Sequence, residues 1–368
     1  MRTLPPGYGI PGDASPAEPP ERRRDQALEA DLQNAASMHH SPRMTDDPQT
    51  DAMQGTVRWA PVKSIWWTAM ALGALVGAPL NVTWGAFALF LVTTATTICL
   101  GHSLGMHRRL IHRSYDCPLW LERLFVYCGT LVGMAGPSGI IRQHDIRDWA
   151  QRRPGCHAFL AHRNSILKDG FWQLHCELRL DHPPVLTIER RVREDRFYRL
   201  LDRTVMAQQA PWALAFWAIG GWPWLFWGIA MRVFLSLTGH WLVGYFAHNR
   251  GPRTWHVEGA GVQGYNVPRV GFLTMGEAWH NNHHAFPASA RLGLHAGETD
   301  PGWWVLVALR ALGLVWNVRT PETLPSRAAL RRIDERGDAA GVGAVLPLKR
   351  FAIWRTRQAS QRRVETRS

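Results

Sequence analysis

Cysteine is scarce in this chain. Five are present (Cys99, Cys117, Cys128, Cys156 and Cys176), and no two stand in a C-x-x-C pair. Their odd number and irregular spacing argue against a disulfide framework, a zinc ribbon and a cysteine-held iron–sulfur module. Residues 1–57 hold no apolar run that could act as the core of a secretory signal. An H-E-x-x-H motif is missing. Acidic residues are in deficit, 29 against 42 Lys and Arg, which gives a formal charge of +13 over 368 residues. The deficit is uneven: residues 1–57 have five Arg and nine acids, net −4, so residues 58–368 carry +17. A basic excess of this kind suits nucleic acid or the cytoplasmic side of a membrane. The apolar runs decide for the membrane and against nucleic acid.

Two nearly uncharged runs, "SIWWTAMALGALVGAPL" and "VTWGAFALFLVTTATTICLG", are separated only by a turn near Asn81. A bilayer core needs about 20 apolar residues per helix, so spans are expected over residues 64–80 and 82–103. The block "APWALAFWAIGGWPWLFWGIAMRVFLSLTGHWLVGYFAH" is too long for one span, and its "GGWPW" is a turn signal. It divides into spans over 205–222 and 223–244. Residues 119–136 are apolar but carry Glu122 and Arg123 near their start, which suits an amphipathic helix in the interface. The 19 tryptophans, many at the edges of these runs, suit an aromatic belt. A soluble protein with buried helices is the alternative.

The sequence therefore predicts an all-α integral membrane protein, with four transmembrane helices in two hairpins under a cytosolic helical cap. Residues 1–57 form a polar leader, either disordered or with a short helix around "ERRRDQALEADLQ". Residues 58–325 form the membrane domain, its cap made from 104–204 and 245–325. Residues 326–368 form a basic tail, whose stretch 346–368 has seven basic residues and one acid. Such a tail either binds anionic lipid heads or is simply solvated. Basic residues flank the spans on one side only, which places both termini and the long polar segments in the cytoplasm.

Histidines gather just beyond the apolar runs. "HRRLIHRSY" carries His107 and His112, "RQHDIRDW" carries His144, "GHWLVGYFAHN" carries His240 and His248, and "GEAWHNNHHAFP" carries His280, His283 and His284. On a helix the last three share one face. Neutral imidazoles are good ligands for iron, zinc or copper, and dense imidazoles without a cation would repel one another when protonated. A membrane zinc hydrolase would need a carboxylate base, for which Glu277 is the only nearby candidate.

These boxes, in this order and spacing, resemble the membrane-bound fatty acid desaturases of the acyl-CoA (stearoyl) type, over residues of roughly 60–300. G-E-x-W-H-N-N-H-H-x-F-P is the most specific piece. The resemblance implies a di-iron centre on a cytosolic cap, with O2 and two electrons used to place a double bond in an acyl chain. It implies His107, His112, His144, His248, His280, His283 and His284 as metal ligands. It also implies a fatty acyl substrate, CoA-bound or lipid-linked, and electrons from a ferredoxin or cytochrome b5-type partner. Hydroxylation of the same lipids, or a non-catalytic descendant, are the alternatives.

The middle box departs from the family's H-R-x-H-H. Arg147 and Asp148 stand where two histidine ligands are usual, and Gly244 where an iron-binding Asn is frequent. Guanidinium cannot ligate, whereas a carboxylate can. Asp148 is either an oxygen ligand or, with Asp145, a partner orienting imidazoles. His102, His157, His162 or His240 could fill the vacancy, or one of the two metal positions is altered or lost. Arg147, Arg152 and Arg153 are expected to receive a phosphate-bearing head group, or merely to follow the positive-inside bias.

Overall fold

The structure is a computed structural model describing Gln26, Leu28, residues 42–333 and residues 339–340. It is mostly helical. α1 spans Pro61–Leu72 and its winding continues through Gly73–Gly77. A turn at Pro79–Asn81 follows, closed by the Asn81 side chain donating to the Gly77 carbonyl. α2, Trp84–Ile111, starts at Thr83, whose hydroxyl accepts from the Ala86 N–H and satisfies a free donor of the first turn. Then come α3 (Leu119–Thr130), α4 (Pro137–Gln151), α5 (Ile166–His175), α6 (Arg196–Arg203), α7 (Gln209–Asn249), α8 (His280–Ala285) and α9 (Pro301–Ala311).

Among the described residues two helices, α2 with 28 residues and α7 with 41, are long and apolar enough to cross a membrane. Only 22% of the most apolar window of each is buried inside the protein. Leu91, Val92, Leu214, Trp217 and Ile219 point outward. The core helix of a soluble protein would hide such side chains, whereas lipid covers them. α7 breaks at Gly221, where φ is 63° and ψ −154°. Glycine takes this conformation without a Cβ clash, and Pro223 fits the first turn of the following limb. The break lies within two residues of the one expected from "GGWPW".

α3 ends at Thr130, six residues short of the expected 136. It lies against the polar half of α2 at a spacing set by glycine. A Cβ on Gly105 would sit 2.6 Å from the Phe125 carbonyl carbon. Around this crossing Leu104, Tyr115, Phe125, Leu306 and Val315 form one core, and Met106, Leu110, Ile141, Val192 and Leu201 form another.

The cap corrects two expectations. It is not purely helical, because three small antiparallel sheets brace it: β1 (Met44–Thr45) with β4 (Val185–Leu186), β2 (Gly55–Trp59) with β3 (Cys176–Leu180), and β5 (Trp255–Val257), β6 (Leu330–Ile333) and β7 (Ala339–Ala340) together. Strands of two to five residues are too short for their alternation to stand out in sequence. Nor is residues 1–57 a detached leader throughout. Residues 44–45 and 55–57 pair with cap strands, and Arg43 is buried. Farther upstream, Gln26 and Leu28 are helical and Leu28 is buried. The tail 346–368 lies outside the described residues.

Candidate metal centre

His107 and His112 stand at the polar end of α2. In an ordinary α-helix, five residues turn the chain so that two side chains diverge by about 140°. From Thr97 to Ile111, however, α2 winds wider, with i→i+5 hydrogen bonds, and the His112 N–H reaches the His107 carbonyl at 3.1 Å. The two rings therefore face one side, 4.8 Å apart. His144 from α4 brings its Nε2 to 3.2 Å from His112 Nε2. His283 from α8 completes the group, 4.6 Å from the His107 ring and 4.8 Å from the His112 ring.

A second group forms where α7 meets α8. His248 Nδ1–H donates to the Gly244 carbonyl at 2.7 Å, one turn back. A carbonyl only accepts, so His248 Nε2 carries a lone pair, and it lies 3.1 Å from His280 Nε2. His284 Nε2 is 3.0 Å from the same His280 atom. Within each group one potential ligand atom per residue lies within 4.8 Å of all the others. The groups adjoin, with the His280 and His283 rings 5.7 Å apart.

Facing lone pairs at this distance repel unless a proton or cation lies between them. Burial pushes His280 down to about 4, with His107 adding to the effect, and pushes His112, His283 and His284 below the ordinary imidazole value. Neutral imidazole is the ligating form. His283, 3% exposed, also has a ring nitrogen without a protein partner. Four plus three converging nitrogen donors suit two neighbouring transition-metal ions.

Carboxylates fix two of the rings. Glu277 Oε2 lies 2.6 Å from His107 Nδ1, while its Oε1 accepts from the Ser103 hydroxyl at 2.6 Å. Asp145 Oδ1 lies 3.1 Å from His144 Nδ1. This is the arrangement by which an acid sets the tautomer and direction of a ligand imidazole. The Asn281 side chain accepts from the N–H groups of Thr254 and Trp255 and donates to the carbonyls of Trp255 and Gly264. Asn282 donates to the Leu292 carbonyl and to Glu298. Arg327 caps the helix end through the His284 and Ala285 carbonyls. Six residues of helix are held in place by these bonds.

The departing residues do not join either group. Arg147, expected at a head-group surface, turns inward and donates to the Leu160 carbonyl, His162 Nε2 and Gln173 Oε1. His162 has its Nδ1 2.8 Å from Asp169 and stacks on His248 at 5.3 Å, so both its nitrogens are engaged. Its Nε2 lies 3.3 Å from where a Cβ on Gly244 would be. Asp148 pairs with Arg152 at 2.6 Å. Burial would raise its carboxyl, but Arg152 with His144 and His284 outweighs that and holds it near 2. Arg153 pairs with Asp46 and lies over the Trp149 ring. All three arginines thus have partners within the cap. His157 stacks on Trp172 and accepts from the Phe159 N–H as a helix cap, and His240 meets His102 edge-on at 5.0 Å. Neither belongs to the two groups.

Sequence reasoning missed Arg43, Asn281, Asn282 and Arg327, and saw Glu277 only as a hydrolytic base. Glu277 and the two asparagines were at least signalled by lying inside the "GEAWHNNHH" box.

Apolar outward-facing helices that present two adjoining sets of imidazoles at one end define a membrane protein with a histidine-lined metal-type site. No family model matches the chain. It is 34% identical over 269 residues to an sn-1 stearoyl-lipid 9-desaturase of Anabaena variabilis, covering 72% of this chain and 94% of that one. It is 33% identical over 297 residues to a palmitoyl-monogalactosyldiacylglycerol delta-7 desaturase of Arabidopsis thaliana, 74% of this chain and 75% of that one. It is 32% identical over 267 residues to an icosanoyl-CoA 5-desaturase of Limnanthes douglasii, 69% and 71% of the two chains. The chain belongs to the fatty acid desaturase family. It is an oxidoreductase of lipid metabolism.

Proposed function

We propose that this desaturase places a double bond in an acyl chain at a centre of two irons. His107, His112, His144 and His283 would hold one iron, and His248, His280 and His284 the other. The observation that carries this reading is the convergence of bare ring nitrogens at 3.0–3.2 Å in two adjoining groups. Bound iron, with O2 and two electrons from a ferredoxin or cytochrome b5-type carrier, supplies the oxidising power that an unactivated C–H bond demands, which redox-inert zinc does not. The chain's own part is to favour neutral His112, His248, His280, His283 and His284 by burial, to aim the rings of His107 and His144 through Glu277 and Asp145, and to bring an apolar substrate beside them.

The four-span topology belongs to this proposal. α1 with its extension, α2 and the two limbs of α7 divided at Gly221 supply four apolar segments. The basic flanks of the spans support a cytoplasmic histidine end. An acyl tail then lies among the helices, where burial contributes about 0.8 kcal/mol per CH2, and its polar head stays at the cap. Relatives named for lipid-linked and for CoA-linked substrates are 34% and 32% identical, so a fatty acyl lipid or thioester is the substrate class.

Expression in a desaturase-deficient host, followed by fatty-acid profiling, tests the reading. A new unsaturated species with the native chain, absent with His283→Ala, is the expected result. Identical saturated profiles from both chains would overturn it, and a hydroxylated product would redirect it to the sister reaction.

A further inference from the structure

We infer that Arg43, which precedes every helix of the membrane domain, is a positioning residue for the four-imidazole group. The inference rests on the two-metal reading above. Arg43 is 1% exposed, and its guanidinium reaches five acceptors. Its Nε and Nη2 form a two-armed pair with Glu189 at 2.9 and 2.6 Å. Its Nη1 donates to Asp145 Oδ2 at 3.0 Å, and the remaining bonds go to the carbonyls of Leu110 and Ile111 at 3.2 and 3.1 Å. A guanidinium has five N–H donors, so none is left over.

Each target bears on the metal group. Asp145 gives its other oxygen to His144 Nδ1 at 3.1 Å, which leaves His144 Nε2 to face His112 Nε2. Leu110 and Ile111 are the two residues before His112, at the end of α2, where free carbonyls are in want of donors. One side chain thus fixes the direction of His144 and the position of His112. Its backbone neighbour Met44 is tied to the cap by pairing with Leu186, so the guanidinium is delivered from a strand and not from a loose end. Without Arg43 the Asp145 carboxylate would keep one of its two ties and face the buried Glu189 anion uncompensated, which costs stability and lets the His144 ring turn.

Cobalt(II) titration of the full-length, metal-stripped protein in detergent, read by its ligand-field absorption, tests this. The native chain should bind cobalt in two steps, and His283→Ala identifies the step of the four-imidazole group by removing it. Arg43→Met should weaken that step about 10- to 100-fold and leave the other unchanged. Asp145→Asn should weaken the same step, and the double variant should be little worse than either single one, because the two act in series. Arg232→Met, which removes an equally buried arginine bonded to Gly228, Leu131 and Gln209, should cost stability without singling out one step. Arg43→Lys keeps the charge and serves if the methionine variant does not fold; it should weaken the same single step. Two native-like steps in either Arg43 variant, or equal weakening of both, would overturn the role of Arg43 alone. A native chain that binds no cobalt would overturn the two-metal reading and this inference with it.

Discussion

His283 and His284 are adjacent in the chain, yet their rings stand 5.9 Å apart at 86° and face different groups. His283 turns to His107 and His112, and His284 to His248 and His280. Consecutive helical residues are about 100° apart around the axis, so one short helix feeds two sites.

Single substitutions here should therefore separate the sites. His283→Ala should lose the metal of the four-imidazole group and keep the other, while His284→Ala should do the reverse. Metal analysis together with Mössbauer spectra of iron-57 protein distinguishes the two losses. Identical spectra for both variants would show that the groups act as one.

Glu277→Gln keeps the shape of the side chain but removes the charge 2.6 Å from His107 Nδ1. An amide no longer enforces the tautomer that aims Nε2 at the metal, so metal affinity or turnover should fall about 10- to 100-fold. Thermal unfolding should change little by comparison. Full activity in the variant would leave Glu277 as a packing residue only.

Buried Glu122 accepts from Arg109, Arg191 and the Tyr198 hydroxyl at 2.6–3.0 Å. Burial alone would raise its carboxyl, but Arg109 and Arg191 outweigh that and bring it below the ordinary value. A depressed folded-state pKa means stability that is complete above the unfolded value of about 4.3 and fades as pH falls below it. Glu122→Leu should cost about 3–5 kcal/mol at neutral pH by taking a buried anion away from buried Arg109, half-buried Arg191 and the Tyr198 hydroxyl. That cost should shrink on acidification, as unfolding curves from pH 7 downward would reveal.

Gly105→Val places a side chain where the Phe125 backbone already lies, 2.6 Å from the new Cβ. Pushing α3 off α2 should destabilise the protein by about 1–3 kcal/mol. It should also loosen His107, two residues along, so metal loss should accompany the lower melting temperature. A stable variant with full metal content would contradict the close helix crossing.

The parts of this molecule that were legible in sequence are those with a one-dimensional signature. Apolar length marked out α2 and α7, and the Gly-Gly-Trp-Pro run marked the break at Gly221. The residues that converge were legible as histidine boxes. Which ring joins which group was not, because it depends on the wide winding before His112 and on the fan of side chains around α8. Arg43 was invisible for another reason: its carboxylate partners lie 102 and 146 residues away, and an isolated arginine in a polar stretch gives no hint of burial. The inward turn of Arg147 was hidden by the same limit, since charge counts carry no direction.

The most direct test of two metals in two imidazole groups is the iron-to-protein ratio of the full chain purified from iron-replete cells. About two irons per chain, falling to about one in either His283→Ala or His284→Ala, is the predicted result. A ratio of one or less in the native chain, or zinc in place of iron, would contradict it.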